Sequence, residues 1–180
     1  MAYFVQMGNV WFTLEDGSKV LINDITTFAR IEERWNKDAR VQMTYKIKDG
    51  ELPHMISNRL YGSVEYWWTI LKLNNIFDYD NQWPRSTKQL YEYIERKYPE
   101  QDRSDLHHYI DPNGLVADLI SLRIEYDLTD DAEVIDRAGL EKVSIEEYEM
   151  AVNELKRDII LIDPDYIGSV QTEYDKAMET

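Results

Sequence analysis

An α+β fold is predicted by three features of the 180-residue sequence. The segment VQMTYKIKDG sets Val41, Met43, Tyr45 and Ile47 on one side of a strand and ends in an Asp-Gly turn. Ser86 with Gln89 and Ser144 with Glu147 have capping-box spacing, and each pair opens a stretch whose apolar residues recur at helical intervals. No internal repeat or low-complexity segment interrupts this mixture.

The length suits one domain, or one compact domain with a substantial extension. With no cysteine, disulfides and thiolate chemistry are excluded, and the fold depends on packing. Thirty-five acidic against 20 basic side chains give a formal charge of −15. Such a chain repels a phosphate backbone, so nucleic-acid binding is not expected. Apolar runs as short as IILI, Ile159 to Ile162, do not span a bilayer. MAYFVQMGNVWF has no basic region leading into an apolar one, so no signal peptide is expected. The chain is therefore expected to be made in a cytoplasm, and kept there or packed into something assembled there.

Four segments follow in order. Residues 1–23 read as a β-meander, with YFVQM, VWFTL and KVLI broken at Gly8-Asn9 and Asp16-Gly17. Residues 24–99 form a core with flanking helices. It opens with an amphipathic helix carrying Phe28, Ile31 and Trp35, followed by the strand at 41–47. Two short helices come next, one with Met55, Ile56 and Leu60 and one with Val64, Trp67, Trp68 and Leu71, broken at Gly62. The capped helix from Ser86 has Leu90, Tyr93, Ile94 and Tyr98 on its apolar face and stops at Pro99.

Residues 100–143 read as a hairpin around Pro112-Asn113-Gly114, a strand at SLRIEYDLT and an exposed acidic loop at DDAEVIDRAG. Residues 144–180 form a helical extension. Ile145, Tyr148, Val152, Leu155 and Ile159 follow steps of three and four, IILI is strand-like, and Asp163-Pro164 opens a last helix with Ile167, Val170, Tyr174 and Met178 on one face. Such apolar stripes need a partner, within the chain or on another subunit.

Reactive groups are sparse. His107 and His108 are neighbours on a predicted strand, so their side chains are expected on opposite faces, and His54 lies far off in sequence. DYDNQW from Asp78 has Trp83 where a calcium loop needs glycine, and DPDYIG from Asp163 has Ile167 and Tyr174 where liganding oxygens are needed. The seven glycines are scattered, without a phosphate-cradling run. No catalytic residue, metal or cofactor is predicted. Trp67 and Trp68 are about 100° apart on a helix, so one can enter the core while the other meets a sugar face or another protein.

The stretch TYKIKDGELPHMISNRLYGSVEYWWTILKLNNI resembles a LysM domain, the βααβ module best known for binding N-acetylglucosamine polymers. Tyr45, Ile47, Asp49, Gly50, Tyr61, Gly62, Trp68, Leu71 and Asn74 carry the match, mainly in structural roles. FDYDNQWPRS stands where the second strand is usual, which argues against carbohydrate binding. The longer context, with WPRSTKQLYEYIERKYP and Tyr148-Glu149-Met150-Ala151-Val152, is similar to the baseplate wedge proteins with a LysM-like core of contractile-tailed, T-even-type bacteriophages, over roughly Asp24 to Met178.

That resemblance implies a LysM-like βααβ core, preceded by the N-terminal meander and followed by the hairpin and C-terminal helices. It further implies a non-enzymatic late structural protein of the virion baseplate, assembled in the host cytoplasm. Implied partners are other wedge subunits, adjacent wedges, and the hub or tube-initiating and sheath-initiating proteins, with no nucleic acid and no membrane. Candidate partner-binding residues are Trp67, Trp83, Tyr148, Val152, Leu155, Ile159, Ile167, Val170 and Tyr174. Trp68 is expected to anchor the short helices to the strand at Tyr45 and Ile47.

Overall fold

The computed structural model describes residues 9–23, 35 and 40–178. The predicted strand at YFVQM and the predicted helix positions Phe28 and Ile31 lie outside them. In chain order the elements are β1 (Asn9–Thr13), β2 (Lys19–Asn23), β3 (Gln42–Lys46), α1 (Pro53–Tyr61), α2 (Trp67–Leu73) and α3 (Tyr79–Gln82). Then come α4 (Thr87–Lys97), β4 (Leu106–Ile110), β5 (Val116–Ala117), α5 (Leu119–Tyr126), α6 (Asp131–Ala138) and β6 (Glu141–Ser144). The last elements are α7 (Ile145–Leu155), β7 (Asp158–Ile162) and α8 (Ile167–Met178). The mixture of helix and strand is the α+β class read from the sequence. Two compact units form, one from residues 1–83 with 157–180 and one from 84–156, so the first is discontinuous in sequence and cuts across the four segments.

In the first unit β1 and β2 form an antiparallel hairpin, its turn made at Gly17 with φ 81°. Strand β3 pairs antiparallel with β7, Met43 opposite Leu161 and Tyr45 opposite Ile159. Within this unit the helices α1, α2 and α3 lie between the two strands in sequence. No strand follows Asn75 directly, as FDYDNQWPRS foretold; the closing strand comes instead from IILI, more than 80 residues downstream. Gly62, at φ 70°, ends α1 in the left-handed conformation that glycine adopts without a Cβ penalty.

Asn74 ties the late strand to α2. Its Nδ2 donates to the Ile70 carbonyl at 2.8 Å and the Ile160 carbonyl at 2.7 Å, while Ile160 N–H donates to its Oδ1 at 2.8 Å. The carboxamide thus replaces one peptide of a neighbouring strand. Asn74→Ala leaves both Ile160 groups without these bonds and is expected to lower stability by about 1–3 kcal/mol in urea unfolding; an unchanged midpoint would remove this strand-closing role.

Two apolar clusters fill this unit. One holds Ile47, Ile56, Ile70, Trp83, Ile159 and Leu161, and the other Trp35, Val41, Leu73, Ile162, Ile167 and Val170. Ile159 is therefore a core residue of β7 and not the end of a helical stripe: α7 stops at Leu155, and the chain turns into a strand within three residues.

In the second unit β4 is the centre of a three-stranded antiparallel sheet, order β5-β4-β6, with α4 and α7 held together by Leu90, Ile94 and Ile145. Both predicted capping boxes are present, Ser86 with Gln89 and Ser144 with Glu147. Two predictions are corrected. SLRIEYDLT is not a strand: Asp118 caps the N-terminus of α5 by accepting from Ile120 N–H, and Asp127 at φ 53° ends it. DDAEVIDRAG is not a loop either. Asp130 caps α6, Gly139 at φ 62° closes it, and Val134 is buried.

Candidate functional site

The residues that carry the sequence resemblance to a LysM domain are largely engaged in holding the first unit together. Glu51, 8% exposed, accepts from Tyr45 OH at 2.6 Å and from Lys48 N–H at 3.1 Å, and is paired with Arg59. Burial pushes the Glu51 carboxyl up, but these hydrogen bonds and the Arg59 charge outweigh it and hold the group below its ordinary range. Its contribution to stability is accordingly present above that range and lost as pH falls through the lowered value. Asp49 accepts from the buried Arg157 at 3.2 Å, and Arg157 also donates to the Ile47 carbonyl at 3.2 Å. Tyr61 OH donates to the Ile162 carbonyl at 2.9 Å, and burial raises its pKa. Gly50 makes the turn at φ 69°, and Leu71 packs against the Ile47 cluster.

Trp68 is buried, and the aromatic ring it meets is on the last helix. Its ring lies 4.2 Å from that of Tyr174 on α8, and the Lys72 ammonium lies over both rings, at 5.6 and 4.8 Å. The side chain beside Ile47 is Trp83, which donates from Nε1 to the Glu51 carbonyl at 3.0 Å and stacks on Tyr79. Burial pushes the Lys72 pKa down from 10.5 to about 8. The unfolded chain then binds more protons between those values, so this group makes stability rise as pH climbs from about 8 to 10.5. Lys72→Met is expected to melt higher than the parent at neutral pH, with the difference narrowing towards pH 10; a constant difference would contradict this.

The partner-binding candidates separate into two sets. Trp83, Ile159, Ile167, Val170 and Tyr174 are all buried in the first unit, their apolar surface taken up by its own core. Trp67, Tyr148, Val152 and Leu155 keep exposed area. Trp67, half-buried, lines a cavity of about 490 Å³ with Leu52, Pro53, His54, Leu71 and Tyr79, walls that are almost entirely apolar. Leu155, the last residue of α7, is 80% exposed.

The buried stripe of α7 is Ile145, Glu149 and Asn153, two of them polar, which apolar periodicity does not reveal. Glu149 accepts from Lys97 at 2.6 Å and Tyr98 OH at 3.0 Å, the first bond raising the Lys97 pKa. Asn153 brackets the backbone of Arg85, accepting from its N–H at 2.8 Å and donating to its carbonyl at 2.9 Å. Tyr148 stacks on His107 at 3.9 Å. His107 and His108 do not point to opposite faces: a bulge between Leu106 and His108 brings their Nδ1 atoms to 2.7 Å. Burial, and then the His108 charge, lower the His107 pKa. Among the described residues no group of three or more His, Asp or Glu side chains is placed to hold a metal, and no helix is long and apolar enough to cross a membrane.

The arrangement is one of tied helices and strands with apolar surface left outside. A family model described as Base plate wedge protein 53 matches residues 20–176. Baseplate wedge protein gp53 of Enterobacteria phage T4 is 27% identical over 143 residues, which cover 76% of this chain and 73% of that protein. With most of its length inside that match, this chain belongs to the base plate wedge protein 53 family.

Proposed function

We propose that the chain is a non-enzymatic structural subunit of the baseplate wedge, joining neighbouring wedge proteins, and wedges to one another around the central hub, through protein–protein contacts. The match of the family model to residues 20–176 carries this reading. Its partners are other wedge subunits, adjacent wedges and the proteins that initiate tube and sheath, met in the host cytoplasm before the tail is complete. On this reading the first unit is a LysM-like scaffold whose internal bonds serve rigidity. Exposed Leu155 and the cavity beside Trp67 offer apolar contact area of the kind found in the centres of protein interfaces.

The rival reading, peptidoglycan binding, would use the segments 49–51 and 74–76. Its polar groups are already engaged: Asp49 with Arg157, Glu51 with Tyr45 and Arg59, and Asn74 with Ile160. Aromatic side chains at the cavity, Trp67 and Tyr79, are what favour it. Two assays separate the readings. Co-expressed with the other wedge subunits of its phage, the chain is expected to co-purify in a defined complex, and it should not bind insoluble peptidoglycan. Saturable binding to peptidoglycan, displaced by chitin oligosaccharides, together with absence from the complex would reverse the assignment.

A further inference from the structure

Helix α5, with sequence LISLRIEY, has no buried residue, although six of its eight side chains are Leu, Ile or Tyr or an apolar-stemmed Arg. A helix apolar on most sides is ordinarily covered. Here Ile120 and Ile124, one turn apart, expose 63% and 78% of their area, and Leu115 and Val116, just before the helix, expose 66% and 71%. The cover is not supplied within the second unit, where α5 packs on α6 through the Arg123–Asp131 ion pair at 3.3 Å and the Arg137 guanidinium over the Tyr126 ring at 4.6 Å. These side chains lie in an acidic stretch of sequence: from Asp111 to Arg137 there are eight carboxylates against two arginines.

An apolar centre with a charged rim is the composition of a protein contact, and the sign of the rim selects the partner. Two copies of this chain would bring acidic rims together in molecules of formal charge −15, so self-association through this face is opposed. We infer that the face formed by Leu115, Val116, Ile120 and Ile124 docks onto another wedge subunit, at an apolar groove bordered by lysine and arginine. The inference rests on the baseplate reading for the class of partner, and on the α5 face for everything else.

The test uses the full chain and, as probe, the wedge complex assembled from the other wedge subunits of the same phage without this chain. Binding is measured at low and at moderate salt. Ile120→Glu with Ile124→Glu is expected to weaken binding about 30-fold or more, the effect of losing the centre of a contact, with circular dichroism and melting temperature unchanged. Glu125→Gln, Asp127→Asn and Glu133→Gln together are expected to weaken it less and to flatten its salt dependence. Parental binding by the isoleucine variant would overturn the inference, and an unaltered salt dependence in the amide variant would overturn the basic border. A large fall in melting temperature for the isoleucine variant would mean that the chain covers this face itself, again overturning it. So would a parental dimer that this variant dissociates, since the occupant would then be a second copy. If the parent itself fails to bind the complex, the baseplate reading falls and this inference with it; parental binding with an unaffected isoleucine variant removes the inference alone.

Discussion

Ile159→Asp is expected to destabilise the first unit by about 4–5 kcal/mol, the range reached when an unpaired charge is forced into a core. Leu155→Asp, four positions earlier, is expected to shift stability by no more than about 0.5 kcal/mol, as exposed substitutions do. The contrast follows from where the chain changes state. Ile159 is 5% exposed, pairs with Tyr45 across the β3–β7 sheet and packs with Ile47 and Leu161, whereas Leu155 ends α7 in solvent. Chemical unfolding followed by circular dichroism reads both. Equal and small effects would show that β7 does not close the first unit, and equal and large ones that Leu155 is covered within the chain.

Trp68→Ala is expected to cost about 3–5 kcal/mol, the usual loss for truncating a large buried aromatic. The residue is 2% exposed, and its ring meets that of Tyr174 and the Lys72 ammonium. Removing it therefore loosens α8 as well as α2. Tyr174→Ala is expected to be non-additive with it, because the two side chains share one contact. Unchanged melting of Trp68→Ala would place the indole outside the core and undo the description of α8 as a packed element.

What could be read from the sequence was mostly local. Ser86 and Ser144 announced their helices because a capping box is written in four consecutive positions, and the alternation from Val41 to Ile47 announced β3. The resemblance led to the family, and its structural residues map to the turn, the cap and the strand-closing asparagine. Long-range pairing was not legible. IILI looked like a strand, but nothing in the sequence said that it would lie against VQMTYKIKDG, with the entire second unit intervening.

Helices α5 and α6 were missed for different reasons. Isoleucine, tyrosine and threonine in SLRIEYDLT favour strand by composition, while the deciding caps are single aspartates, Asp118 and Asp130, easily taken for loop residues. At the candidate site, apolar stripes marked amphipathic faces without saying whether the chain itself would cover them. Ile167, Val170 and Tyr174 are covered by the first unit, and the exposed face of α5 lay in a segment read as strand. The convergence of His107 and His108 depends on a bulge, which shifts side-chain direction by one position and leaves no mark in composition.

Cross-linking mass spectrometry on baseplates purified from the phage that carries this gene tests the structural role most directly. The expected result is that the chain is present in every preparation of complete baseplates and cross-links to at least one other wedge subunit, through lysines of the folded units. Complete baseplates that lack the chain, or that contain it with no cross-link to any wedge subunit, would contradict a role built on protein–protein contact.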